Sequence, residues 1–160
     1  MIELPFSAPA EFIGAVRPPS APLAAALWFV FRENDLLGSA GGAPQLPVVL
    51  HPDALGFEVA HVQYFGRLGA EHCYACDVGA SVPAASGWTW RGLRSLYTRL
   101  PDAQFALAGR ALQLVDWDRS NGFCGRCGTP TSARTTERAR ECPACGLVAY
   151  PRNAPAIKAL

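Results

Sequence analysis

Lysine is almost missing from this chain. Lys158 stands alone beside thirteen arginines, and charged residues make up 17% of the 160. A lysine-rich tract that would hold nucleic acid by charge alone is therefore excluded. Long apolar runs are missing too: the longest, Leu23 to Phe31, is far too short to span a bilayer, so no membrane partner is expected. No charged-then-apolar leader opens the sequence, since Met1-Ile-Glu-Leu-Pro carries an early acid and a proline. The expected setting is a reducing cytoplasm. Repeats and low-complexity stretches are lacking, and half the residues are apolar, which excludes a disordered chain.

What is present is cysteine in a telling pattern. Cys124-Gly-Arg-Cys127 and Cys142-Pro-Ala-Cys145 are two C-x-x-C pairs with fourteen residues between them. A C-x-x-C turn puts both sulfurs on one side of a tight knuckle, and two facing knuckles complete a tetrahedral zinc site. Gly128 and Gly146 follow the second cysteine of each pair, where the backbone often needs a positive φ. Four unpaired core thiols are the plain alternative, and the spacing argues against it. With four cysteine ligands no coordination position stays open, so one structural Zn²⁺ per chain is expected, folding a segment too small to bury its own core. A third C-x-x-C, Cys73 and Cys76, reads differently. Residues three apart on a strand face opposite ways, so these are expected to be two ordinary part-buried thiols.

Charge divides along the chain. Residues 1–118 hold seven arginines against eleven acids, and residues 119–152 hold six arginines against Glu137 and Glu141. The balance of −4 against +4 suits a phosphate-binding surface on the ribbon; solubility of a small surface-rich segment explains it equally well.

The expected fold class is α+β. Prolines loosen the start, and Ala24 to Phe31 reads as a strand that ends in a turn at Glu33-Asn-Asp35. Gly38 to Pro44 reads as a loop, Leu46 to Leu50 as a short strand, and Glu58–Leu68 with Glu71–Val78 as a hairpin. Two helices follow, Trp90–Leu100 and Asp102–Asp118. The second buries Phe105, Ala108, Ala111, Leu112 and Val115, with Pro101 in its first turn. The expected domains are 1–118, with short mostly antiparallel strands and two helices, and a four-cysteine zinc ribbon over 119–150.

The stretch Ala108-Gly-Arg-Ala-Leu-Gln-Leu-Val-Asp-Trp-Asp-Arg-Ser-Asn-Gly-Phe-Cys-Gly-Arg-Cys-Gly128 resembles the NADH pyrophosphatase family of the Nudix superfamily. The likeness runs on through Ala149-Tyr-Pro-Arg152 and Ala154-Pro-Ala-Ile157. It implies a Nudix-like N-terminal domain, then the ribbon, then at 151–160 the start of the first strand of a catalytic Nudix domain. Family catalysis rests on the Nudix box, G-x5-E-x7-R-E-U-x-E-E-x-G-U, whose glutamates hold Mg²⁺ or Mn²⁺. No such box occurs in these 160 residues. The chain alone is therefore expected to be inactive, as part of a homodimeric enzyme that cleaves the pyrophosphate of NADH or NAD⁺ and, in some members, NAD-capped RNA.

Three positions match residues with which the family holds its substrate. Tyr150 can stack on a base or nicotinamide ring, or pack the ribbon on its neighbour. Glu137 can accept from ribose hydroxyls or an exocyclic amine, or stand solvated. Arg94 can clamp phosphate, or be a solvated helix arginine. Arg152 can meet phosphate on charge grounds alone. A rival reading makes the chain a stand-alone zinc-ribbon module for nucleotides or RNA, favoured by the ribbon arginines and opposed by the scarce lysine and the acidic first domain.

Overall fold

The computed structural model describes residues 8–20 and 25–151, in two compact units, Met1–Val115 and Asp116–Leu160. The first unit is built on seven strands: Phe12–Gly14 (β1), Ala26–Arg32 (β2), Asp35–Ser39 (β3), Val48–Val49 (β4), Ala60–Leu68 (β5), Glu71–Val78 (β6) and Trp88–Gly92 (β7). Their order is β1-β5-β6-β2-β3-β7, with β4 beside the start of β2. All pairs are antiparallel except the central one, where β2 and β6 run parallel from Leu27↔Cys73 to Arg32↔Val78.

Burial explains the centre. β2 is covered on both faces, so its sequence is a continuous apolar run rather than an alternation. Leu27, Phe29 and Phe31 join Phe65, Cys73 and Ala75 in one core cluster. Ala26, Trp28 and Val30 join Leu37, Phe57, Cys76 and Val78 in the other. Cys73 and Cys76 thus lie on opposite faces, as the period of two requires. Both are fully buried, not part-buried as expected. Burial pushes the Cys73 thiol up to about 12 and raises Cys76 further.

The hairpin forms as expected, turning through Gly69 at φ +58. Its register slips between Tyr64 and Gly66, and Gly66 has a φ of +142. A Cβ at Gly66 would run into the Ile13 carbonyl oxygen and lie 2.8 Å from the Phe12 ring, so the β1–β5 crossing admits glycine alone.

One helix is present among the described residues, not two. Asp102–Ser120 (α1) buries Leu107, Ala108, Ala111, Leu114 and Val115 in the first core cluster, with Phe105 and Leu112 half-buried beside them. The Pro101 carbonyl accepts from the Phe105 N–H at 2.9 Å, so Pro101 sits just before the first turn and not within it. The helix expected at Trp90–Leu100 is instead strand β7 and a 3-10 turn at Leu93–Leu96. Trp88, Thr89 and Trp90 are strand formers, and they pair with β3 from Ser39↔Trp88 to Asp35↔Gly92. Beyond the turn, Tyr97 is extended at ψ 133 and Thr98 takes a φ of +65, which stops any continuation. The register with β7 also makes Asp35–Ser39 a strand where a loop was expected from Gly38 onward, while Leu46–Leu50 contributes just Val48–Val49.

The second unit carries Ser132–Ala133 (β8), Arg140–Glu141 (β9) and Val148–Ala149 (β10), an antiparallel sheet in the order β10-β9-β8. Its expected continuation at 151–160, Arg152 included, lies outside the described residues apart from Pro151. Among the described residues no helix is long and apolar enough to cross a membrane.

Candidate metal centre

Two knuckles of one design make the centre. In the first, the Cys124 N–H donates to the Thr129 carbonyl at 2.8 Å and the Gly128 N–H to the Cys124 carbonyl at 2.9 Å. In the second, Cys142 donates to Leu147 at 2.9 Å and Gly146 to Cys142 at 3.0 Å. The reversal needs a left-handed residue, and Gly128 and Gly146 supply it at φ +74 and +70. The turn also aims backbone at sulfur: the Arg126 N–H lies 3.4 Å from the Cys124 Sγ.

The four sulfurs all lie within 4.8 Å of one another. Cys124–Cys145 is 3.6 Å, Cys127–Cys142 is 3.5 Å and Cys127–Cys145 is 3.7 Å. A disulfide would need about 2.0 Å. A tetrahedron with Zn–S bonds of about 2.3 Å has edges of about 3.8 Å, which these separations match. All four cysteines are free. The donor set fits Zn²⁺.

Local dipoles prepare part of the set for ionisation. The Thr129 hydroxyl and N–H, then the Cys142 sulfur, lower the Cys127 thiol to about 6. The N–H groups of Arg126 and Cys127 lower Cys124. At Cys145 the Leu147 N–H pulls down, but burial and the three neighbouring sulfurs outweigh it and raise the thiol to about 11. Four sulfurs this close cannot all ionise unaided, so a divalent cation entering the site displaces the remaining protons.

A second polar node braces the ribbon. Arg140 on β9 donates from Nη1 to Asp118 Oδ1 at 2.6 Å, from Nε to Thr131 Oγ1 at 2.8 Å and from Nη2 to the Thr131 carbonyl at 3.0 Å. The side chains of Arg140 and Asp118 are 17% and 6% exposed, so the pair is buried within the unit.

Two family models match this architecture in succession. One, described as the NADH pyrophosphatase-like rudimentary NUDIX domain, covers residues 25–117. The other, the NADH pyrophosphatase zinc ribbon domain, covers residues 119–150 and contains all four cysteines. The chain belongs to the NADH pyrophosphatase family. Among its curated relatives is a protein of Deinococcus radiodurans named NAD-capped RNA hydrolase NudC, 43% identical over 159 residues, 98% of this chain and 52% of the relative. Proteins of the same name from Stutzerimonas stutzeri and Chromobacterium violaceum are 43% identical over 84 residues and 35% identical over 116. These alignments cover 29% and 42% of the two relatives. The chain thus spans about half the length of the Deinococcus relative and less of the others.

The three positions expected from the resemblance to meet substrate fall in different surroundings. Tyr150 is 51% exposed and lines a hollow of about 390 Å³ with Asn121, Phe123, Thr131 and Arg140. Glu137 is not among the residues of that hollow. Its carboxylate is ion-paired with Arg134, whose Nε donates to Glu141 Oε2 at 2.7 Å. Between Glu141 and Glu137 the Arg134 guanidinium is held even more firmly protonated. Arg94 belongs to the first unit, exposed on the 3-10 turn rather than on a helix.

Sequence reasoning passed over Phe123 and the Asp118–Arg140 pair. The aromatic residue directly before Cys124 was the available signal for the first, and nothing local marks the second.

Proposed function

We propose that this chain supplies the N-terminal domain and zinc ribbon of a hydrolase that cleaves the pyrophosphate bond of NADH or NAD⁺, and that NAD-capped RNA is a substrate of the same enzyme. The observation that carries the reading is the unbroken succession of the two family matches, the second closing on a four-thiol centre. Cys124, Cys127, Cys142 and Cys145 would hold Zn²⁺, which supplies folding energy to the ribbon and no open coordination position. Tyr150, Glu137 and Arg94 would then contribute to holding the dinucleotide. A homodimer and a cytoplasmic setting belong to this proposal.

The 160 residues alone are proposed to be catalytically silent. In-line attack of water on a pyrophosphate needs carboxylates that clamp Mg²⁺ or Mn²⁺. The ribbon's two glutamates are both engaged by Arg134, which opposes cation binding there. The test is chromatographic detection of mononucleotides after incubating NADH and Mn²⁺ with the chain, and separately with the complete gene product. Products are expected from the complete protein and none from the chain. A complete protein that leaves NADH intact sinks the functional reading, and turnover by the chain sinks the silence.

A further inference from the structure

The four sulfurs of the metal centre are alike in spacing and unlike in access. Cys142 and Cys124 are 1% and 6% exposed, Cys145 is half-buried and Cys127 is exposed. The knuckles explain the difference. The first cysteine of each pair is tied at both its N–H and its carbonyl by the bonds that close the turn. The second cysteine rides the outside of the turn, and among the described residues neither Cys127 nor Cys145 takes part in a backbone-to-backbone bond. Solvent therefore meets two sulfurs from different knuckles, and these lie 3.7 Å apart.

Access decides the chemistry. Four cysteine ligands leave no open position on a metal, so a small reagent reacts at sulfur. Sulfur that binds a metal is thiolate, the nucleophilic and oxidisable form. Susceptibility to oxidation follows thiolate character and exposure, and a partner thiol within reach turns the first product into a disulfide. Cys127 is exposed, and Cys145 stands within reach of it. The chain's other two thiols are shielded: Cys73 and Cys76 are 0% exposed, and burial holds both protonated.

We infer that Cys127 is a site of oxidation by hydrogen peroxide and that Cys145 resolves it, which makes the metal centre a reversible redox switch. The Cys127 Sγ attacks one peroxide oxygen and the O–O bond breaks. The departing hydroxide takes up a proton and leaves as water, and Cys127 becomes a sulfenic acid. The Cys145 thiolate then attacks the Cys127 sulfur, the S–O bond breaks, and a second hydroxide takes up a proton and leaves as water. Two thiolates lose two electrons, the peroxide gains two, and two protons come from solvent. The sulfurs close from 3.7 Å to about 2.0 Å, and a disulfide no longer supplies thiolate. That withdraws two of the four zinc ligands, so a ribbon that folds on metal loosens. The inference rests on the zinc ligand set and not on the hydrolase reading.

The experiment exposes the zinc-loaded chain to hydrogen peroxide beside a chromogenic chelator, then maps sulfur oxidation by tryptic mass spectrometry. Trypsin cuts after Arg126, which puts Cys124 and Cys127 on different peptides, and fragmentation separates Cys142 from Cys145. One zinc is expected to appear per peroxide consumed, with peptide 127–134 joined to peptide 141–152 through Cys145. With dimedone present, the first adduct is expected on Cys127. Dithiothreitol followed by fresh zinc should restore the loaded chain, and Cys73→Ala should release zinc at the wild-type rate. Zinc retained under peroxide that oxidises free cysteine to completion overturns the inference. So does a first adduct on any other cysteine, a disulfide joining any other pair, or oxidation that dithiothreitol does not reverse. Because no nucleotide is present, failure here leaves the hydrolase reading standing, and failure of that reading leaves this result intact.

Discussion

Asp118→Ala should weaken zinc retention although Asp118 touches no sulfur. In the wild type, Asp118 Oδ1 accepts from Arg140 Nη1 at 2.6 Å in a pair whose side chains are 6% and 17% exposed. Breaking a fully buried pair by removing one partner costs about 3–5 kcal/mol, because a buried charge is left uncompensated. Arg140 is partly exposed and keeps its two bonds to Thr131, so about 2–3 kcal/mol is the reasoned value here. A ribbon that folds as it binds metal converts that loss into affinity. At about 1.4 kcal/mol per factor of ten, the apparent zinc Kd should rise about 30- to 140-fold. Competition against a chromogenic chelator at fixed pH reads it directly. The double variant Asp118→Leu/Arg140→Met removes both charges and should recover most of the loss, within about fivefold of wild type. A single variant within threefold of wild type, or a double variant as weak as the two singles combined, would refute the burial argument.

Three further outcomes follow from the same structure. Cys127→Ser and Cys142→Ser should each abolish zinc retention while near-ultraviolet circular dichroism shows the first unit still folded; either variant holding one zinc per chain overturns the ligand set. Gly66→Ala places a Cβ against the Ile13 carbonyl at a φ of +142 and should cost about 3 kcal/mol, roughly 10 °C in Tm, whereas Gly42→Ala, with open space at φ +62, should cost about 1 kcal/mol; equal losses would remove the steric argument. Burial raises Cys73 to about 12 from 9.0, so the folded chain keeps a proton that the unfolded chain releases: the stabilisation is present below pH 9 and is lost between 9 and about 12, by up to about 1.4 kcal/mol per pH unit. Urea unfolding at pH 8, 9 and 10 should show Cys73→Ala with the shallower decline, and parallel slopes would contradict the assignment.

The metal centre was legible because it is local. Each knuckle is closed by bonds within six residues, from Cys124 to Thr129 and from Cys142 to Leu147, so spacing and a following glycine were enough. Strand β2 and the β5–β6 hairpin were legible for similar reasons: apolar runs of strand-forming residues met turn residues at their ends. What failed was decided at a distance. Leu36 and Leu37 are fully buried on a strand that ends in Gly38-Ser39, and its partner lies some fifty residues later at Trp88–Gly92. The same pairing unmade the expected helix: Leu93, Leu96 and Leu100 keep a helical spacing, but Trp88–Trp90 are held in the sheet and Thr98 breaks the turn. In α1 the face was read correctly at Ala108, Ala111 and Val115, and the core is filled from Leu107 and Leu114, a short way round from Phe105 and Leu112.

Charge illustrates why a count along the sequence overstates free charge in space. Residues 119–152 carry an excess of four positive charges, yet the compact unit begins at Asp116 and so gains two acids. Over 116–152 the excess falls to two. Those acids are not bystanders. Asp116 pairs with Arg119 at 2.7 Å, Asp118 with Arg140, and Glu137 and Glu141 share Arg134. A guanidinium paired with a carboxylate has its charge largely neutralised locally, and screening by salt weakens what field remains beyond about 8–10 Å. The same bonding holds Arg140 against Asp118 and Thr131 inside the ribbon. The arginines therefore serve the ribbon's own rigidity first.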